Sequence, residues 1–190
     1  MIGRNLASLL LVLSVAGCAA TNAPRPGRLP AAARSPSLPA ADQISVAELT
    51  AQITALAPTV NPSEARRVAV CAHNTVHQLK IDYAMVGPPL FQNFLINVGI
   101  KNRGFCYQWA TDLMSELDAL NVKTIKLHWG VAHRGGLREH NCVVVTATRQ
   151  AFAQGLVLDG WRYGGRLYFG PVATDRYPWK EEFWDWRHHR

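Results

Sequence analysis

Apolar positions recur at helical spacing through the first half of the chain. Val46, Leu49 and Ile53, for example, lie about one helical turn apart, and "NPSEARR" opens the next apolar stretch with residues typical of a helix start. The pattern predicts four helices, within residues 42–56, 61–86, 88–99 and 106–121. The fourth helix begins near Cys106 and ends near Asn121, a residue that suits a helix end.

The pattern of apolar residues changes after Asn121. Short segments rich in Val, Ile, Tyr and Trp follow one another and are broken by glycines, which is typical of strands. The pattern predicts four strands, within residues 124–133, 140–148, 156–162 and 166–172. Because helices come first and strands second, we expect an α+β domain whose N-terminal helices pack on an antiparallel β-sheet.

The extreme N-terminus has the pattern of an export signal. Residues 1–17 carry one arginine and then an apolar run that is too short to span a membrane. The run ends in "VAGC", which resembles the lipobox of bacterial lipoproteins. The resemblance implies that residues 1–17 are a signal peptide and that Cys18 is lipidated, with ordinary signal cleavage as the alternative. Ala19 after the cysteine then points to the periplasmic face of the outer membrane.

Composition separates a tether from a folded head. Residues 21–41 hold five of the eleven prolines and three arginines but no acidic or aromatic residue, so we expect residues 18–41 to form a disordered tether. Residues 42–190 have the size of one domain, which we expect to be a monomer. The formal charge of +7 favours acidic partners. Cell-wall peptides are such partners for an exported chain, whereas nucleic acid is not expected.

Three residues suggest nucleophilic catalysis. Cys106 opens the fourth helix, His140 opens a strand and Asp159 lies in the next strand. A helix N-terminus and a neighbouring imidazolium both favour a thiolate, and Lys101 and Arg103 would add to the same field. His140 would act as the base and then the acid, and Asp159 would orient its ring.

The segments "RGFCYQWATDLMSELDAL", "HNCVVV" and "GLVLDGWR" resemble the three sequence blocks of the transglutaminase-like superfamily of papain-like cysteine enzymes. The resemblance implies a papain-like core and a Cys106–His140–Asp159 triad. It also implies a cysteine peptidase or amidase that cleaves an amide through a thioester, without cofactor or metal. A protein-glutamine transglutaminase or deamidase is the alternative within the same family. Cys142 and the Gly160–Trp161 pair depart from the usual pattern and leave the subfamily open.

Other readings of these residues remain open. Cys106 could be a small buried residue, and the head could be a non-enzymatic, lipid-anchored envelope binding module. His128 and His133 are rival bases, while Asp175 and Asp185 are rival orienting groups in a Trp-rich tail. We expect that tail to lie at the surface or to pack through Trp179 and Trp184, although its terminal histidines could also capture a metal. No zinc spacing, phosphate loop or dinucleotide fingerprint appears in the sequence.

Substrate contacts are less specific in the sequence. Arg134 and Arg138 lie near His140 and could bind a substrate carboxylate, although a solvated turn is an equal alternative. Trp161 is a further candidate for substrate binding. The backbone N–H of Cys106 is the expected oxyanion donor, and the candidates for a second donor are Gln92, Asn93 and Asn97.

Two further cysteines lie in the head. Cys71 and Cys142 could form a disulfide in an oxidising compartment, or each could be buried separately. His140, Cys142 and Val144 share one face of their strand by alternation, so we expect Cys142 to point toward the helices.

Overall fold

A computed structural model describes residues 40–183 and residue 185 of the chain. The predicted signal peptide 1–17, the lipidation site Cys18, most of the predicted tether and Trp184 lie outside the described residues, as do the terminal histidines. No helix within the described ranges is both long and apolar enough to cross a membrane.

Four helices come first in the chain, as the apolar pattern predicts. They are α1 (Ala40–Thr54), α2 (Pro62–Asp82), α3 (Pro89–Asn97) and α4 (Cys106–Asp118). The side chain of Asn61 caps α2 by accepting a hydrogen bond from the N–H of Ser63 at 2.8 Å, and Pro62 follows at the first helical position. Beyond α4, Asn121 has a φ of +51°, which confirms it as a residue of the helix end.

An antiparallel sheet follows the helices. Its strands are β1 (Ile125–Ala132), β2 (His140–Ala147), β3 (Leu156–Asp159), β4 (Tyr168–Pro171) and β5 (Lys180–Glu182), in the order β4-β3-β2-β1-β5. Helices packed on an antiparallel sheet confirm the predicted α+β fold. The fifth strand was not predicted, because its sequence, Lys-Glu-Glu, has no apolar alternation. It lies at the edge of the sheet, where Val131 pairs with Lys180.

The central strand β2 is buried on both faces. Val143 and Val145 pack in the main core with Leu113, Leu117 and other residues of the helices. Cys142 and Val144 point the other way, into a smaller cluster with Val157, Val172 and Trp179. The expectation that Cys142 faces the helices is therefore wrong: Val143 and Val145, which alternate with Cys142 and Val144, carry the helix-facing side of the strand.

The described cysteines are all free thiols. Cys71 lies on α2, where its sulfur is 3.6 Å from the carbonyl oxygen of Glu116 on α4. Cys142 lies in the cluster on the opposite face of the sheet, so the central strands separate the two sulfurs. Of the two alternatives for this pair, separate burial is the one observed.

Candidate active site

Cys106 is the first residue of α4, and the loop that precedes it has a constrained conformation. Gly104 has a φ of +134°, which favours glycine, and a Cβ at this position would lie 2.8 Å from Cγ of Gln92. The fully buried amide of Gln92 donates to the carbonyl oxygens of Tyr83 and Arg103 and accepts from the N–H of Val86. Gln92 therefore holds the loop that precedes Cys106, and its amide is not available as an oxyanion donor.

Two side chains of α4 fix the loop from the other side. Oε1 of Gln108 accepts from the N–H groups of Gly104 and Phe105, at 2.8 and 3.1 Å. The indole N–H of Trp109 donates to the carbonyl oxygen of Gly104 at 3.1 Å. The backbone N–H of Cys106 lies in the first turn of the helix, where no intrahelical acceptor exists. It is thus a fixed donor beside the sulfur.

Neighbouring strands bring His140 and Asp159 together. β2 and β3 pair with Val143 opposite Leu158, so the first residue of β2 and the last residue of β3 lie at the same end of the sheet. The Nε2–H group of His140 donates to Oδ2 of Asp159 at 2.7 Å, and both side chains are buried. A carboxylate in this position fixes the tautomer and the orientation of the ring.

Asp159 is held by a second, buried charge. Its Oδ1 accepts from the N–H groups of Trp161 and Arg162, and its Oδ2 accepts from Nε of Arg162 at 3.0 Å. The same guanidinium donates to both oxygens of Asp175 and stacks on Tyr168, 3.7 Å from the ring centre. Arg162 thus lies between two carboxylates. The sequence offered Asp175 as an alternative orienting group for the histidine. In the structure it instead binds Arg162, which in turn supports Asp159.

Aromatic rings enclose the imidazole of His140. The centres of the Trp161, Tyr177 and Trp179 rings lie 4.7, 4.9 and 5.3 Å from its own. Tyr177 and Trp179 belong to the segment that leads into β5. Part of the C-terminal tail therefore packs against the candidate base, and the ring is shielded from water on these sides.

The thiol of Cys106 also interacts with the imidazole. Nδ1 of His140 makes no hydrogen bond of regular geometry within the described part of the chain. Burial disfavours the imidazolium, but the hydrogen bond to Asp159 and the interaction with the Cys106 thiol outweigh it, so that the pKa of His140 rises to about 9. Catalytic hydrogen bonds are often long before substrate binds. Nε2 is therefore engaged by the carboxylate, and Nδ1 is left for the thiol.

Charges stabilise the carboxylate of the pair. Burial acts to raise the pKa of Asp159, yet the hydrogen bond and charge of His140 and the contacts of Arg162 keep it below its usual value. An ionised Asp159 beside a protonated His140 is the arrangement that stabilises an imidazolium.

Cys106 differs from the other described cysteines in its surroundings. It is half-buried, whereas Cys71 and Cys142 are buried. Burial raises the pKa of Cys71 to about 11 and that of Cys142 well above its ordinary value. These two thiols therefore resist ionisation, and Cys106 is the described cysteine that a reagent or substrate can reach.

Residues around the sulfur include two that the sequence did not indicate. The sulfur of Cys106 lies 3.8 Å from the carbonyl oxygen of Glu139 and 3.7 Å from Nδ2 of Asn141. Glu139 and Asn141, together with Arg162 and Tyr177, are site residues that the sequence pattern did not predict. The signal for Arg162 was its position three residues after Asp159, where it can close a turn on the carboxylate.

The predicted substrate-binding residues have different positions. Trp161 contacts His140, and its indole N–H donates to Oδ1 of Asn93 at 3.4 Å. Arg134 is exposed and forms an ion pair with Glu182 of β5. Arg138 is exposed in the same β1–β2 turn. Of the three, Trp161 is the residue that the structure brings to the triad.

One of the rival bases and the neighbouring cations have other partners. His128 is buried between Glu181 and Thr146, at 2.6 and 2.8 Å. Arg103 pairs with Asp112 at 3.1 Å, and Lys101 donates to the carbonyl oxygen of Ala84. The carboxylate of Asp112 therefore offsets the charge that Arg103 was expected to direct at the thiol.

Apolar side chains are exposed near the loop that Gln92 holds. They belong to α3, to the segment after it and to α4: Leu90, Phe91, Phe94, Val98, Ile100 and Tyr107. Tyr107 directly follows the candidate nucleophile. The surface next to Cys106 therefore has an apolar component that the sequence pattern alone did not place.

Metal ligation is not evident around the triad. Within residues 40–183 and 185, no three His, Cys, Asp or Glu side chains group closely enough to hold an ion.

Comparison of the chain with the profiles of known protein families, with curated proteins and with solved structures finds no match. Function must therefore be inferred from the geometry of the site itself.

Proposed function

We propose that this protein is a thiol hydrolase that cleaves an amide bond through a thioester on Cys106. The observation that supports the proposal is the position of the His140 ring, with Nε2 bound to Asp159 at 2.7 Å and Nδ1 left for the thiol. This order of nucleophile, base and orienting carboxylate is the one used by cysteine enzymes. The resemblance of the three sequence blocks to transglutaminase-like enzymes agrees with it.

The proposed reaction uses a thiolate–imidazolium pair. The thiolate of Cys106 attacks the amide carbonyl, a C–S bond forms, and the π electrons move to the oxygen near the N–H of Cys106. The oxyanion then collapses, the C–N bond breaks, and His140 gives its proton to the leaving amine. Water next attacks the thioester while His140 takes one of its protons. The C–S bond breaks, and a carboxylic acid leaves the regenerated pair.

The cellular location and the substrate class of the protein are also proposals. The lipobox-like "VAGC" supports a lipid anchor at Cys18 and a periplasmic site at the outer membrane. Cell-wall peptides and envelope proteins are the substrates available there. The exposed apolar side chains of α3 favour a protein substrate with apolar residues near the cleaved bond, whereas the exposed Arg134 and Arg138 favour an acidic peptide.

Two other functions fit the same fold. If an amine reaches the thioester before water, the product is a cross-link, as in a transglutaminase. If the thioester never forms, the head is an envelope binding module. The enclosure of His140 by Trp161, Tyr177 and Trp179 limits the approach of a second substrate on those sides, so hydrolysis is the proposal we favour.

Isotope labelling separates these functions. The full chain and a Cys106→Ala control are incubated with cell-wall fragments and with envelope-protein extract in H₂¹⁸O, and the products are read by mass spectrometry. Hydrolysis predicts new carboxylates that carry one ¹⁸O in the wild-type sample alone. Cross-linked products without ¹⁸O would favour the transferase, and products equal to those of Cys106→Ala would favour the binding module.

A further inference from the structure

The amide of Asn141 faces the sulfur of Cys106, and its orientation is determined by chemistry. Oδ1 of Asn141 accepts from the indole N–H of Trp129 at 3.1 Å. An indole nitrogen can only donate, so the oxygen of the amide must lie on the Trp129 side. The NH₂ group then necessarily points the other way, where Nδ2 is 3.7 Å from the sulfur of Cys106.

Successive residues of β2 supply different contacts to this sulfur. Side chains alternate along a strand, so His140 and Asn141 leave the backbone on opposite sides. His140 interacts with the thiol from the side that carries Asp159, and Asn141 donates from the side of the main core, next to Trp129. Asn141 and Trp129 are both buried, which excludes water from competing for the amide protons.

We propose that Asn141 is a further catalytic residue, whose side-chain N–H stabilises the thiolate of Cys106. A hydrogen bond to an ionised acceptor is about twice as strong as one between neutral groups, so the contact favours the thiolate over the thiol. The donor is uncharged and leaves the proton of His140 free for the leaving amine. Trp129 acts as a positioning residue, because its indole N–H holds the oxygen of the Asn141 amide.

The carboxylate of Glu139 is the neighbour of the second proton on the Asn141 side-chain amide. Oε1 of Glu139 lies 3.4 Å from Nδ2 of Asn141, and its Oε2 accepts from the N–H of Gly135 at 2.7 Å. One proton of the NH₂ group is therefore directed toward this carboxylate and the other toward the sulfur. The carboxylate is also a negative charge near the thiolate, which increases the need for a donor at this position.

The test is the rate of Cys106 alkylation by iodoacetamide in the full chain at about pH 6 and at about pH 10, read by peptide mapping. This inference rests on the proposed function, which requires that Cys106 of the folded wild type react much faster at about pH 6 than it does in the urea-unfolded chain. Asn141→Ala should slow alkylation about 10- to 100-fold at about pH 6, and much less at about pH 10, where thiols ionise without a donor. Asn141→Asp, of the same shape, should slow it further at about pH 6 because a carboxylate replaces the donor.

Trp129→Phe provides a second measurement that leaves Asn141 in place. It removes the indole N–H but keeps an aromatic ring, so alkylation at about pH 6 should slow by less than in Asn141→Ala. It also serves if Asn141→Ala fails to fold, which circular dichroism shows. Fast wild-type alkylation at about pH 6 that is unchanged in the folded Asn141 variants would overturn the role of Asn141 alone. A wild-type rate equal to that of the urea-unfolded chain would instead contradict the proposed function.

Discussion

At the scale of single residues, the most informative group is His140, whose charge couples the site to the stability of the fold. Its pKa is raised to about 9, and the unfolded chain has the ordinary value near 6.5. A raised pKa means that the folded state binds the proton more tightly. The stabilisation is therefore fully present below about pH 6.5 and is lost as the pH rises through about 9.

This linkage predicts a pH-dependent free energy of unfolding. Between about pH 6.5 and pH 9, wild-type protein should lose stability on the order of 3 kcal/mol through this group. His140→Gln removes the titrating ring, so its urea midpoint should change much less across the same range. Urea unfolding at several pH values measures both. A wild-type curve as flat as that of His140→Gln would show that the imidazolium is not stabilised in the folded state.

At the scale of elements, the junction between α3 and α4 places the nucleophile. Gln92 of α3 donates to the carbonyl oxygen of Arg103 within the junction, while Gln108 and Trp109 of α4 bond to Gly104. The loop is therefore held from both helices. Gly104 is the residue that permits this, because its φ of +134° brings the backbone against the side chain of Gln92.

Gly104→Ala should disturb this junction more than a matched change nearby. Its Cβ would meet Cγ of Gln92 at 2.8 Å in a strained conformation, so we expect a loss of roughly 3 kcal/mol and slower alkylation of Cys106. Gly99→Ala is the control: Gly99 also has a positive φ, +77°, but nothing lies within 4 Å of its Cβ position. That variant should lose about 1 kcal/mol. Equal losses in the two variants, measured by urea unfolding, would contradict the packing argument.

Sequence patterns predicted the helices and strands better than they predicted which faces of these elements pack against each other. The helical face of Val46, Leu49 and Ile53 is buried as their spacing predicts, since periodicity reports burial directly. Alternation placed His140 and Cys142 on one face of β2 but could not say which face meets the helices. That choice depends on the valines around them, which are apolar on both sides of the strand.

The candidate site was also predictable only in part. Residue types and the strand order pointed to Cys106, His140 and Asp159, and the structure brings these three together. Arg162, Asn141 and Tyr177 were missed. Their positions depend on long-range contacts, such as the bond from Trp129 to Asn141, which leave no periodic signal in the sequence.

At the scale of the whole molecule, distant parts of the chain converge at one end of the sheet. The segment that leads into β5 returns from β4, adds a strand beside β1, and lays Tyr177 and Trp179 against His140. Asp175 in this segment bonds to Arg162 and so supports Asp159. The core of helices and sheet thus fixes the nucleophile, and the C-terminal segment closes the opposite side of the base.

We infer that these parts hold a thiolate–imidazolium pair, and the reactivity of Cys106 tests this claim. The measurement is the rate at which iodoacetamide alkylates Cys106 at about pH 6 in the full chain, compared between wild type and His140→Ala. A free thiol is less than about 1% ionised at that pH, so loss of the imidazolium should slow alkylation roughly 10- to 100-fold. Buried Cys71 and Cys142 are internal controls and should react slowly in both proteins. Equal rates at Cys106 in the two proteins, with both of them folded, would contradict the claim.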